Sequence, residues 1–203
     1  MKTVPDPLPR PSPRYLRAVA SGLLLALACG GAWAFGLAEL MAQLARQKQG
    51  EAQFTEQRFV SGLDAPLLAS GTLRFTAPDK LERHTLRPRE ESMQVEGNTL
   101  LLTRGGRSRT VALDSSPELA GLVEAMRGTL AGDAALLQKH FSTSLAGSPA
   151  SWSIELLPRD ERLAAQVQNV RISGQQGQVR GVELDFRNGD RAVTTIVPAR
   201  ALP

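Results

Sequence analysis

The sequence predicts a mainly β fold with helices (α+β), built around a curved antiparallel sheet of about 10–11 short strands. Three observations predict it. Short segments with period-2 alternation recur along most of the chain. Tight-turn signals separate them, among them Gly97-Asn98, Gly105-Gly106 and Asn188-Gly189. Helical periodicity is confined to one segment before the strands and a pair of segments between two blocks of strands, not the strand-helix alternation of a parallel fold. So many strands in one small domain must curl or close, leaving a concave face that helices can cover.

Residues 1–34 read as a signal peptide. Lys2, Arg10, Arg14 and Arg17 lie among prolines, and Ala18 to Ala28 is an uninterrupted small and apolar run. Ala32-Trp33-Ala34 then offers the small-x-small pattern of a cleavage site, so cleavage after Ala34 is expected. The competing readings are an uncleaved anchor, for which the run is short, and lipoprotein processing at Cys29, for which Ala26-Leu27-Ala28 is a poor lipobox. The segment holds four of the 24 basic and one of the 20 acidic residues, so residues 35–203 carry a net charge of +1 against +4 for the whole chain. Basicity is thus weak support for nucleic-acid binding, and no nucleic-acid partner is expected. Cys29, the sole cysteine, leaves with the leader, so the remainder has no disulfide or thiol chemistry.

Residues 35–203 are expected to form one domain. In Leu37 to Lys48, residues Leu37, Leu40, Met41, Leu44 and Ala45 form one apolar stripe, with Gly50 as the expected stop. Ala52 to Ser61 alternates as a strand, but neither face is cleanly apolar, since Phe54, Glu56, Arg58 and Val60 share one side. Strands are then expected at Ser70–Thr76, Lys80–Leu86, Ser92–Glu96, Thr99–Thr103 and Arg107–Leu113, with Pro78 and Pro88 at turns. Leu73 and Phe75 share a face, as do Leu81 and Arg83, and Met93 and Val95. Leu100 and Leu102 fall in the apolar run TLLLT.

Ser116-Pro117-Glu118 opens a helix whose Leu119, Leu122, Val123, Met126 and Leu130 form an i, i+3, i+4, i+7 stripe. A second short helix follows Gly132-Asp133 through Phe141. Strands return at residues 141–145, 151–157, 167–173, 179–187 and 191–197, with a helical turn over 158–164.

No constellation of residues points to an enzyme. His84 and His140 lack companion ligands, so neither a metal nor another cofactor is expected. Ser115-Ser116 has no nucleophile elbow around it. Glu90-Glu91 beside Arg87 and Arg89 reads as a solvated loop, not a catalytic carboxylate pair. Arg104 to Arg109 (RGGRSR) is a charged hairpin tip without aromatic neighbours.

The order of elements, together with Phe54-Thr55-Glu56-Gln57, Ser70 to Pro78 (S-G-x-L-x-F-x-x-P), Lys80-Leu81-Glu82, Pro88 and Val95 to Leu100 (V-x-G-x-x-L), resembles the outer-membrane lipoprotein carrier (LolA-like) family. The resemblance implies a half-open antiparallel β-barrel with a helical lid over an apolar cavity that takes up lipoprotein acyl chains in the periplasm. The cavity lining would then include Leu73, Phe75, Leu81, Met93, Val95, Leu100, Leu102, Leu122 and Met126. Implied partners are acyl chains of lipoproteins or glycolipids, an inner-membrane donor and an outer-membrane acceptor, with the protein a monomer. Two positions depart from the pattern. Ala77 stands where the carriers have an arginine that locks the lid, and Arg83 stands where an aromatic faces the cavity. These departures resemble a divergent LolA-related branch associated with glycolipid or polyene-lipid assembly. The alternative of a different class is a periplasmic protein-binding or chaperone module that uses the concave sheet face or an edge strand.

Overall fold

The computed structural model describes residues 35–199; the expected leader and its cleavage site lie outside them. Strands β1 (Gln49–Phe59), β2 (Leu67–Thr76), β3 (Lys80–Arg87), β4 (Glu91–Glu96), β5 (Thr99–Arg104) and β6 (Arg107–Ala112) form a meander. A 3-10 turn (Leu113–Ser115) leads into helices α2 (Pro117–Ala131) and α3 (Ala134–His140), while α1 (Leu37–Leu44) precedes β1. The chain returns as β7 (Phe141–Ser148), β8 (Ser151–Pro158), helix α4 (Glu161–Gln166), β9 (Val167–Gln175), β10 (Gln178–Phe186) and β11 (Arg191–Pro198).

All eleven strands belong to one antiparallel sheet in the order β6-β5-β4-β3-β2-β1-β11-β10-β9-β8-β7. Neighbours within each meander are adjacent in sequence, as short turns require. The one long-range junction is β1 with β11, where eight residues pair from Ala52↔Pro198 to Phe59↔Arg191. Strands β6 and β7 end the sheet without pairing to each other, so the curved sheet stays unclosed. This is the mainly β, half-open architecture that the sequence predicts.

Helices cover one face. Leu40, Met41 and Leu44 of α1, Leu137 of α3 and Leu163 of α4 join Ile154, Leu156, Val170 and Ile172 of the second meander in the larger apolar cluster. A smaller cluster unites Val95 and Leu100 of the first meander with Leu113 and Val123. Helix α2 bridges the two, because Ala125 belongs to the larger and Val123 to the smaller. It stops at Gly132, whose φ of +69° gives the left-handed cap. A Cβ there would collide with the Met41 carbonyl of α1, so glycine also sets how closely α1 and α2 approach.

Several boundaries differ from expectation, β1 spanning Gln49–Phe59, β2 starting at Leu67 and α4 lying at Glu161–Gln166, and the shift at α1 has a plain cause. Helix α1 ends at Leu44, not at Gly50, and Gly50 lies inside β1 opposite Phe75. The cause is tertiary: Lys48 already accepts the Ala77 N–H at 2.8 Å, and Gln49 pairs with Thr76. Sheet pairing therefore claims residues that local helix propensity would extend.

Candidate functional site

Directly opposed residues of antiparallel strands share a sheet face, so the register of β1–β6 resolves the helix-covered face into three transverse rows. The first, Phe75–Leu81–Val95–Leu100–Val111, is wholly apolar. The second, Ala52–Leu73–Arg83–Met93–Leu102–Arg109, is mixed. The third, Phe54–Gly71–Thr85–Glu91–Arg104–Arg107, is mostly polar or charged. Exposure follows the same gradient on β4, β5 and β6 but not on β1 and β2, where Phe54 and Gly71 of the third row are buried. Phe75, Val95 and Leu100 are buried, Leu73, Met93 and Leu102 are half-buried, and Arg104 and Arg107 are exposed.

Leu73, Phe75, Leu81, Met93, Val95, Leu100 and Leu102, the strand residues expected to line a cavity, therefore share one sheet face. Leu73 of β2 packs against the larger cluster, as do Leu122 and Met126 of α2. Leu81, Met93 and Leu102 pack against the smaller cluster, whose buried members include Val95 and Leu100. Leu73, Leu81, Met93 and Leu102, like Leu122 and Met126, are half-buried, not fully buried.

Arg83 sits in the middle row and reaches sideways. Its Nη1 donates to Glu56 Oε2 of β1 at 2.8 Å, and its guanidinium lies 4.2 Å from the Phe54 ring centroid. Strand β2 lies between β1 and β3, and it presents Gly71 on this face between Phe54 and Thr85. A side chain there has no room, because a Cβ would strike the His84 carbonyl at the local β2–β3 register shift. Thr194 Oγ1 of β11 donates to the same Glu56 oxygen at 3.1 Å. Burial pushes the Glu56 carboxyl up, but the Arg83 hydrogen bond and charge, with help from Thr194 and Arg58, outweigh it and hold the carboxyl below its ordinary value. This polar knot explains why neither face of β1 reads as apolar in the sequence: the inner face carries Phe54 and Glu56 together.

Arg127 is a residue that the sequence pattern alone does not single out. It is 7% exposed, on the covered side of α2. Its Nε donates to the Asp79 carbonyl at 3.0 Å and its Nη2 to the Gly97 carbonyl at 2.6 Å, while Nη1 bonds Glu124 Oε1 at 3.0 Å. One guanidinium thus fastens α2 to both the β2–β3 and β4–β5 turns. The signal was present: Arg127 stands four residues after Val123, a lone cation on an apolar stripe. Ala77 lies two residues before Asp79, so the turn that lacks the expected arginine is the turn that receives Arg127 from the helix.

The opposite sheet face holds two open depressions, of about 430 and 360 Å³. Polar side chains such as Gln53, Arg74, Glu82 and His84 line the larger, and His84 bonds Glu90 at 3.1 Å. Among the described residues, no group of three or more His, Cys, Asp or Glu could hold a metal.

The fold is an unclosed antiparallel sheet with helices over one face. Residues 29–201 match the family described as outer membrane lipoprotein carrier protein LolA-like, and the chain belongs to that family. Its description is that of a carrier, not an enzyme. No curated protein matches. Among solved structures, the chain is similar to the LolA superfamily protein NE2245 of Nitrosomonas europaea, at 11% identity and TM-score 0.47 over 84% of this chain and 96% of that one. It is also similar to the lipoprotein LppX of Mycobacterium tuberculosis, at 9% identity and TM-score 0.41 over 82% and 97%. A third is the Pseudomonas aeruginosa MucA/MucB complex, at 14% identity and TM-score 0.36 over 82% and 58%.

Proposed function

We propose that this protein is a periplasmic carrier that holds the acyl chains of an amphiphilic envelope lipid, as part of a lipoprotein or a glycolipid, and moves them toward the outer membrane. The observation that carries this reading is the gradient across the three rows. An acyl tail suits the apolar rows beside Leu81, Met93 and Leu102, and a polar headgroup suits the row of Thr85, Glu91 and Arg104. Each methylene withdrawn from water contributes about 0.8 kcal/mol, so a chain of ordinary length is held without covalent chemistry.

In this reading Leu73, Phe75, Leu81, Met93, Val95, Leu100, Leu102, Leu122 and Met126 form the lining, and α2 is the lid. Arg127 takes over the lid-holding role left open by Ala77. Arg83, half-buried and tied to Glu56, makes the middle of the sheet polar and shortens the apolar track, which sets it apart as a selectivity position. Release requires a receiver that binds the lipid better or favours an open state. An inner-membrane donor and an outer-membrane acceptor fill those roles, with the protein a monomer. Mass spectrometry of lipids extracted from the purified protein tests the reading. A stoichiometric acyl lipid supports it. A lipid-free protein that also refuses added lipid overturns it.

A further inference from the structure

The β1–β2 hairpin exposes apolar groups that the core does not use. Phe59, Leu63, Leu67 and Leu68 are 42%, 53%, 54% and 63% exposed. Phe59 ends β1, Leu67 and Leu68 begin β2, and Leu63 lies in the loop between. Register puts Leu67 opposite Arg58 on the inner-face side and Leu68 opposite Gln57 on the other. The apolar groups therefore surround the hairpin tip. A rigid partner meets one face of a hairpin, whereas a fluid interface can wet every side.

The flanking charge is mainly basic. Arg87, opposite Ser70, and Arg89 in the β3–β4 turn are exposed on one side. Arg191, opposite Phe59, and Arg187 in the β10–β11 turn are exposed on the other. Ser61 joins the hairpin to that second turn, donating its N–H to Asp190 Oδ1 at 3.0 Å and its hydroxyl to the Asn188 carbonyl at 3.3 Å. Of the acids here, Asp190 is buried and 3.7 Å from Arg58, Glu90 is engaged by His84, and Glu183 and Asp185 hold Arg191 at 2.6 and 3.6 Å. Asp64 in the loop is exposed. Arg87 and Arg89 have no ion-pair partner among the described residues.

We propose that this hairpin is a peripheral membrane anchor. Its tip enters the headgroup–acyl boundary of an anionic phospholipid bilayer while Arg87 and Arg89 meet lipid phosphates. The charged third row of the inner face lies at the same end of the strands, so docking brings that end to the membrane surface. The loop's polar backbone and Asp64 stop insertion at the boundary. Docking and carrying are separable: a protein that carries no lipid could still dock by this hairpin.

Flotation tests the proposal, with the protein recovered as its host processes it and its N-terminus fixed by intact mass. The vesicles are phosphatidylcholine alone, or phosphatidylcholine with phosphatidylglycerol. Binding should need the anionic lipid and fall with added salt. Arg87→Gln with Arg89→Gln should weaken it by about twentyfold at low salt. Leu67→Ser with Leu68→Ser should weaken it by about tenfold or more, with Leu63→Ser as a substitute if the double variant fails to fold. Leu101→Ser, an exposed leucine of β5 away from the hairpin, should change nothing. The proposal is overturned if the folded wild type does not float, if it floats equally on neutral vesicles, or if the hairpin variants float like the wild type. Capture of a protein partner through the hairpin without vesicle binding overturns it as well.

Discussion

Replacing Arg127 by methionine should loosen α2 from the sheet without disturbing the packing of the side-chain stem. The guanidinium donates to two backbone carbonyls, Asp79 at 3.0 Å and Gly97 at 2.6 Å, from a site 7% exposed. Hydrogen bonds from a charged donor contribute about 1.5–3 kcal/mol each. Gly97 is exposed and Asp79 half-buried, so water can partly replace the lost donors. The Glu124 contact lies within α2 and does not fasten the helix to the sheet. A net loss of about 3 kcal/mol follows, which lowers the melting temperature by about 6–12 °C in a chain of this size. Arg127→Lys should fall between, because an ammonium lacks the planar fork that spans both turns. Calorimetry measures the stability, and stopped-flow release of a fluorescent acyl probe measures the lid. Faster release should accompany the lower melting temperature in Arg127→Met. If that variant melts and releases probe like the wild type, Arg127 does not hold the lid.

Other substitutions test separate parts of the account. Glu56 has its carboxyl held below the ordinary 4.5 by Arg83 and its neighbours, so its contribution to stability is present above that value and fades as pH falls through the lower folded value. Arg83→Met should raise the Glu56 value, remove that acid-dependent loss and cost about 1–3 kcal/mol near neutral pH; denaturant unfolding across the acid range measures all three. Gly132→Ala should cost about 1–2 kcal/mol for the left-handed backbone alone, and more for the collision with the Met41 carbonyl, read as a lower urea midpoint. Leu122→Arg places a charge in the proposed lining and should reduce acyl-probe affinity by about tenfold or more while circular dichroism stays native.

Much of the fold is legible because its punctuation is local. Gly97-Asn98, Gly105-Gly106 and Asn188-Gly189 all fall between paired strands, and the two blocks of alternating segments became the two meanders. What escaped local reading depends on distant partners. Helix α1 gives up residues beyond Leu44 because Gln49 and Gly50 pair with β2. The inner face of β1 is hidden by Glu56, which is acceptable there only because Arg83 reaches past Gly71 to neutralise it. Leu67 and Leu68 belong to β2, although the alternation is plain only from Ser70 onward. Arg127 was hidden for the opposite reason: one charge among leucines looks like an interruption until the two carbonyls beneath it are in view.

The central claim is that the graded inner face holds an acyl chain. Equilibrium titration of the wild type with an environment-sensitive fatty-acyl probe, followed by competition with unlabelled lipid, tests it most directly. Saturable uptake that lipid displaces and that Leu122→Arg weakens is the expected result. Unsaturable or absent uptake by a protein with native circular dichroism would contradict it.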